Sequence, residues 1–384
     1  MIRHIPQGYK DSPLGIVPKE WEVKKILDFA PLQRGFDLPT GKIIAGKYPV
    51  VYSNGILNYH DEYKAKGPGV VTGRSGTIGK VTYVESDYWP HNTSLWVTDF
   101  KGNNPKYVYY VYRYMGLSKF ASGSGVPTLN RNDVHVSKVA IPPIEEQGHI
   151  VKVLELWDNA IEKQSELVEK LKLRKRALMQ QLLTGKKRLP GFSGEWKEVK
   201  LGDVFDERNE TNHDDLPLLS ITGDKGVIYQ SDSDKRDISN DDKSKYKRIC
   251  PNDIGYNTMR MWQGRSALSE LEGIVSPAYT IVTPRENVNV EFMAMLIQQP
   301  RVVYDFWTHS QGLVSDTLNC KYPDFCQVKV RIPTKQEQTA ITSVLVKADK
   351  EIELASENLA NLQSQKRGLM QQLLTGKKRI KNIE

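Results

Sequence analysis

Cysteine is scarce in this chain: only Cys250, Cys320 and Cys326 occur in 384 residues. Their spacing matches neither a disulfide framework nor the paired Cys-x-x-Cys of a zinc site, so ordinary reduced thiols are expected. No apolar run approaches the ~20 residues that cross a bilayer. The opening stretch Met1–Lys10 has no hydrophobic signal segment either, which leads us to expect a cytoplasmic protein with no membrane attachment. The seven histidines are scattered without metal-ligand spacing such as His-x-x-x-His, so no metal site is expected. Catalytic signatures are also missing. There is no Asn-Pro-Pro-[Phe/Tyr] element, no phosphate-binding P-loop and no nuclease constellation, since Asp61, Glu62 and Lys64 form only a fragment of one. A chain that catalyses nothing is the expectation.

What is abundant is positive charge and repetition. Lys and Arg number 54 against 46 Asp and Glu, a net charge of +8, which suits a polyanionic partner without proving one. The undecapeptide LMQQLLTGKKR occurs at Leu178–Arg188 and again at Leu369–Arg379. Extended backwards without a gap, Ile141–Leu189 pairs with Ile332–Ile380, and 26 of these 49 positions are identical. Trp21 and Asp28 pair in the same way with Trp196 and Asp203 at an offset of 175, against 191 for the repeats. The order is therefore variable segment, repeat, variable segment, repeat: one scaffold presenting two recognition surfaces.

Within the first repeat, Ile150, Leu154, Trp157, Ile161, Gln164, Val168, Leu171, Lys175, Leu178 and Leu182 fall at alternating steps of four and three, a heptad seam. The second repeat supplies Ile341, Leu345, Ala348, Ile352, Ala355, Leu359, Leu362, Lys366, Leu369 and Leu373 at the same positions. Each stretch is free of proline and ends at a glycine, Gly185 or Gly376, followed by Lys-Lys-Arg, the signature of a helix stop. Each helix is expected to run for about 40 residues, roughly 60 Å. The two apolar stripes are expected to cover each other as an antiparallel coiled coil, with Lys175 and Lys366 reaching out to water. Leu173, Leu183 and Leu374 form a stripe off the seam that suggests further partners.

The variable segments, Trp21–Ala140 and Trp196–Arg331, read as short β runs broken by Gly, Pro, Asn and Asp. Strands are expected at Tyr48–Tyr52, Gly69–Thr72, Lys80–Val84, Ser94–Thr98, Leu216–Ile221 and Tyr279–Thr283, with helices at Pro105–Met115 and Val290–Tyr304. The fold class is therefore α+β, two domains of similar plan. The loop GRSGTIGK, Gly73–Lys80, presents Arg74, Ser75, Thr77 and Lys80 on a glycine-rich backbone that can approach phosphates or base edges, although a plain glycine-rich turn has the same composition. In the equivalent stretch Gly255–Val282, Asn257, Arg260, Gln263 and Arg265 suit bidentate contacts with adenine or guanine. Met259, Met261 and Trp262 beside them are expected to pack into the core. Two further loops, Ser122–Asp133 and Ser310–Asn319, bring Ser124, Thr128, Asn130 and Arg131, and Gln311, Ser315 and Thr317. Arg34, Asn54 and Asn92 in the first segment and Lys225 and Tyr279 in the second complete the candidate DNA-binding set.

The paired long repeats, the join RLPGFSGEWKEVKLGDV at Arg188–Val204, and the loops GRSGTIGK and MRMWQG resemble the specificity subunit of type I restriction-modification systems over nearly the whole chain. The tail GKKRIKNIE followed by the opening PLGIVPKEW approximates the internal join, matching that family's circular pseudo-symmetry. The resemblance implies a first target-recognition domain at 1–143, a conserved helix at 144–187, a second target-recognition domain at 188–334, and a second helix with its tail at 335–384. Each domain would read half of a bipartite double-stranded DNA site, and the helices would fix the gap. Two methyltransferase subunits would dock on the chain and two restriction subunits would complete the complex. S-adenosylmethionine, ATP and Mg²⁺ would belong to those partners, leaving no cofactor here. Three other readings stand beside it: a specificity protein of another restriction class, a coiled-coil scaffold that binds no DNA, and an enzyme hidden in the lobes.

Overall fold

The seam of each repeat becomes one long helix in the computed structural model, Ile144–Leu182 and Lys335–Leu374, of 39 and 40 residues. The structure describes residues 5–123, 127–223, 225–233, 239, 242–312 and 318–380. Both helices stop where their glycines adopt left-handed backbone, at φ +70° in Gly185 and +72° in Gly376, a conformation that suits glycine and ends the helix. The chain divides into two units, Met1–Glu166 with Glu357–Glu384, and Leu167–Ser356. Each unit therefore contains the first part of one long helix and the last part of the other.

In the first unit, Ile150 and Leu154 share a core with Met370, Leu373 and Leu374, while Asp158 further along is ion-paired with Lys366. Numbers rise on one helix as they fall on the other, so the halves pair antiparallel. In the second unit Leu182 lies in one core with Ile341 and Leu345, and Lys175 and Arg174 pair with Asp349 and Glu351, again antiparallel. All seventeen apolar seam positions are buried or half-buried. Lys366 departs from expectation: only 4% exposed, it lies over the Tyr110 ring and is held by Asp158 rather than reaching water. Leu183 and Leu374 also turn into the cores, leaving Leu173 as the one exposed member of the proposed outer stripe.

The first unit is built on a four-stranded antiparallel sheet. Its strands are β1 (Leu32–Arg34), β2 (Gly69–Gly73), β3 (Val81–Val84) and β4 (Ser94–Val97), in the order β1-β4-β2-β3. The second unit repeats this order with β5 (Phe205–Arg208), β6 (Ile254–Asn257), β7 (Ser266–Leu268) and β8 (Tyr279–Pro284), arranged β5-β8-β6-β7. A hairpin accompanies each sheet: Tyr48–Tyr52 with Gly55–His60 in the first, Leu219–Ile221 with Val227–Tyr229 in the second. The expected strands are present with ends shifted by a few residues.

Helix Pro105–Met115 is found as expected. The expected run Val290–Tyr304 is instead two helices, Val290–Ile297 and Pro300–His309. Pro300 has no N–H to continue the first helix and disfavours α backbone at Gln299, so it opens the second helix instead.

Equivalent fasteners tie each long helix to its unit. The Gln147 side chain accepts the Asn104 N–H at 2.9 Å and donates to the Pro142 carbonyl. Gln338 does the same with Asn289 at 2.8 Å and Pro333. Asn104 and Asn289 are the N-caps of the helices that follow the two sheets, so a single glutamine aligns cap, strand exit and long helix. Beyond the helix stops, Arg188 forms a two-pronged ion pair with Glu337 at 2.6 Å on both prongs, and Arg379 forms one with Glu146 at 2.9 and 2.7 Å. In the first unit Glu146 also accepts the Trp21 indole N–H at 3.0 Å, and Arg379 reaches Glu20. The tail and the opening segment thus meet in that unit as the internal join does in the other.

Candidate nucleic-acid interface

The glycine-rich loop of the first unit connects β2 to β3, and its shape is dictated at Gly73. A Cβ there would fall 1.8 Å from the Thr77 carbonyl oxygen and 2.7 Å from that of Ser53, so only glycine lets the loop fold back against the neighbouring hairpin. The backbone N–H groups of Arg74 and Ser75 both donate to the Thr93 carbonyl, and the Arg74 carbonyl accepts from Leu129 at 2.7 Å. Ser75 also bridges Thr128. The loop, the turn before β4 and the segment around Thr128 therefore form one face. Lys80 closes the loop by donating to the Asn54 carbonyl at 2.5 Å in the hairpin turn.

Arg74, Ser75, Thr77, Lys80, Asn54 and Thr128 are thus brought together. Arg34 and Asn92 join the edge of this face, but both are engaged with Asp37, a residue that sequence reasoning passed over. Asn130 and Arg131 do different work: Asn130 caps the short helix Arg131–His135, and Arg131 lies beside His135 in a separate shallow cleft. Ser124 lies outside the described residues.

The second unit puts a cavity where the first has a closed turn. The chain from Ile221 to Val227 is longer than that from Tyr52 to Gly55 in the first unit, and a cavity of about 520 Å³ opens beside it. Five of the expected residues line it, Lys225, Asn257, Arg260, Arg265 and Tyr279, and no described lining residue is a carboxylate. The Asn257 side chain accepts the Met259 N–H at 3.0 Å, and its backbone N–H donates to the Arg265 carbonyl at 3.0 Å, so the cations grow from one short turn. The Arg265 guanidinium lies against Gly223, where a Cβ would sit 2.1 Å from Nη1. Tyr279 has its hydroxyl pushed above the usual range by burial, with the Asn257 hydrogen bond and the Arg260 charge opposing the shift. It stays neutral as a donor and reaches the Ile221 carbonyl at 3.4 Å.

Gln263 faces an adjoining cleft with Arg265. Gln311 is bonded to Asp324 at 2.9 Å, and Ser315 and Thr317 lie outside the described residues. Of the apolar trio expected to pack inward, Met261 is fully buried and Trp262 half-buried, while Met259 is half exposed; the Trp262 indole N–H donates to the Met259 carbonyl at 3.0 Å. The sheet is braced from behind by buried Asp253, which accepts from Arg208 at 2.7 Å, Thr283 at 2.8 Å and the Cys250 N–H at 2.8 Å. Two loop ends correspond across the units: Gly79-Lys80 and Gly264-Arg265 combine a left-handed glycine with a cation leaning on the hairpin turn. The chemistry on offer is phosphate positioning and hydrogen bonding to base edges. Among the described residues no group of His, Cys, Asp and Glu could hold a metal ion.

Residues 18–172 match the family model for the type I restriction modification DNA specificity domain. A Methanocaldococcus jannaschii chain named for the specificity subunit of type I restriction enzyme MjaX is 23% identical over 98% of this chain and 97% of its own length. The crystal structure of a type I restriction-modification S subunit from M. genitalium covers 92% of this chain and 96% of its own at a TM-score of 0.56 and 14% identity. A chain from a study of complex assembly and conformational transition in a type I R-M system covers 94% of this one and 99% of its own at 0.59 and 15%; these two likenesses speak for the fold. With a domain match over residues 18–172 and a relative aligned from end to end at 23% identity, the chain is similar to the specificity subunits of type I restriction-modification systems.

Proposed function

We propose that each unit reads one half of a bipartite DNA sequence, the first through the Gly73–Lys80 face and the second through the Arg260–Arg265 cavity. As a specificity subunit the chain is the non-catalytic component that carries DNA sequence specificity. One observation carries the two-half reading: the same sheet order occurs twice, with loops in the same place but with unlike side chains on them. Shared strands and helices supply a common frame, and the divergent loops supply separate base contacts. The paired long helices act as the ruler between half-sites, and they dock two methyltransferase subunits, which bring S-adenosylmethionine. Two restriction subunits with ATP and Mg²⁺ complete the restriction form, and the complex works in the cytoplasm. Among the described residues no helix is long and apolar enough to cross a membrane.

The test is to co-express the full chain with its cognate methyltransferase and map N6-methyladenine across the genome. A split motif with a fixed gap is the expected result. A complex that assembles and methylates without a split motif overturns the reading.

A further inference from the structure

Asp37 stands at the edge of the first unit's face, and its surroundings fix it there. Phe36 packs against Trp89 and Trp96, and Leu38 is buried with Val50 and Trp89. With an inward anchor on either side, the side chain between them is pinned outward, 72% exposed. Two donors then converge on a single oxygen: Arg34 Nη2 at 3.3 Å and Asn92 Nδ2 both bond Asp37 Oδ1. Oδ2 has no partner among the described residues. Asn92 precedes Thr93, whose carbonyl holds the Arg74 and Ser75 amides, so the carboxylate borders the glycine-rich loop.

A negative charge on a face meant for phosphates is repelled unless it meets a hydrogen-bond donor. An ionised carboxylate can only accept. In the major groove the donors are the exocyclic amines, cytosine N4 and adenine N6; guanine and thymine present none. We propose that Asp37 is a specificity-determining residue that accepts, through Oδ2, the major-groove amine of a cytosine or adenine in the half-site read by the first unit. Arg34 and Asn92 are then positioning residues that orient the carboxylate and offset its charge against the DNA backbone. The described lining of the second unit's cavity carries no carboxylate, so among the described residues an acceptor-only side chain stands at the first unit's face and not in that cavity.

The proposal rests on the two-half reading, and one experiment separates their failures. Full-length wild type, Asp37→Ala and Asp37→Asn are each co-expressed with the cognate methyltransferase, and N6-methyladenine is mapped. The expected result is a wild-type split motif that Asp37→Ala relaxes at one cytosine or adenine of one half, by about ten-fold or more, with the gap and the other half unchanged. A wild-type split motif that Asp37→Ala leaves identical overturns this assignment alone; absence of a split motif in the wild type overturns both. If Asp37→Ala methylates nothing, Asp37→Leu, of similar size but unable to accept a hydrogen bond, is mapped beside Asp37→Asn: a preference relaxed at a single position by Asp37→Leu supports the role, and a motif that Asp37→Leu leaves unchanged refutes it.

Discussion

Asp158–Lys366 and Asp349–Lys175 are equivalent pairs at an offset of 191, yet the two units surround them differently. In the first, Tyr110 donates to Asp158 at 2.7 Å, Arg113 approaches it, and the Lys366 ammonium sits over the Tyr110 ring. In the second, Met295 and Gln298 fill the positions equivalent to Tyr110 and Arg113, and the Lys175 side chain remains 24% exposed against 5% for Lys366. One seam thus carries one chemistry in two environments. Duplication preserved the charge pair that fixes helix register, and divergence of the neighbouring helix decided how dry it became.

The helices provide the hardest test of equivalence. Leu154 and Leu345 correspond and both are fully buried. Replacing either with Ala is expected to destabilise its unit by roughly 2–5 kcal/mol, read by denaturant unfolding of the full chain. A large cost at one and none at the other would break the parallel. The charge pairs should part company. Lys366→Met strands the half-buried Asp158 with Tyr110 and Arg113 alone, an expected loss of about 2 kcal/mol, below the roughly 3–5 of a fully buried pair. Lys175→Met should cost under ~1 kcal/mol. Equal losses in the same unfolding assay would show that the surrounding residues do not matter.

The loop-closing cations sharpen the comparison at the DNA face. Arg265→Ala is expected to cost about 1–3 kcal/mol and to relax one base of its half-site, as loss of a base reader does. Lys80→Ala should weaken binding evenly across sequences and lower the salt slope by about one, because Lys80 already spends a bond on the Asn54 carbonyl. Competition binding of the assembled methyltransferase at several salt concentrations distinguishes the two patterns.

The smallest effect is acid sensitivity. Burial works to raise the Asp158 pKa, but hydrogen bonds from Lys366 and Tyr110 and the charges of Lys366 and Arg113 more than reverse it, holding the carboxyl below its ordinary 3.8. A depressed carboxyl contributes stability that is complete above its unfolded value and lost as pH falls through the folded one. Stability should therefore decline below about pH 4, and Asp158→Asn should flatten that limb of the pH–stability curve.

The helices and the duplicated plan were legible because their signals are periodic and local: a heptad seam, a glycine stop, a tryptophan repeated at a fixed offset. The break at Pro300 was also written in the sequence, but the apolar run from Val290 through Ile297 masked it. Lys366 was misread because a seam lysine ordinarily reaches water, and only the fold brings Tyr110 over it. Asp37 was invisible for the opposite reason. An acid in a basic face looks like noise until Arg34 and Asn92 are seen to meet on one of its oxygens. The cavity beside Arg265 depends on the length of a distant hairpin turn, which no local pattern announces.

The division of the chain also sets an order of birth. The second unit is one unbroken stretch, Leu167–Ser356, whereas the first needs Glu357–Glu384 to complete its helix pair. As the chain leaves the ribosome, the second unit can finish folding while the first still waits with half of its seam uncovered. The first segment synthesised is thus the last to close, and Arg379 settling on Glu146 and Glu20 is the clasp that shuts it.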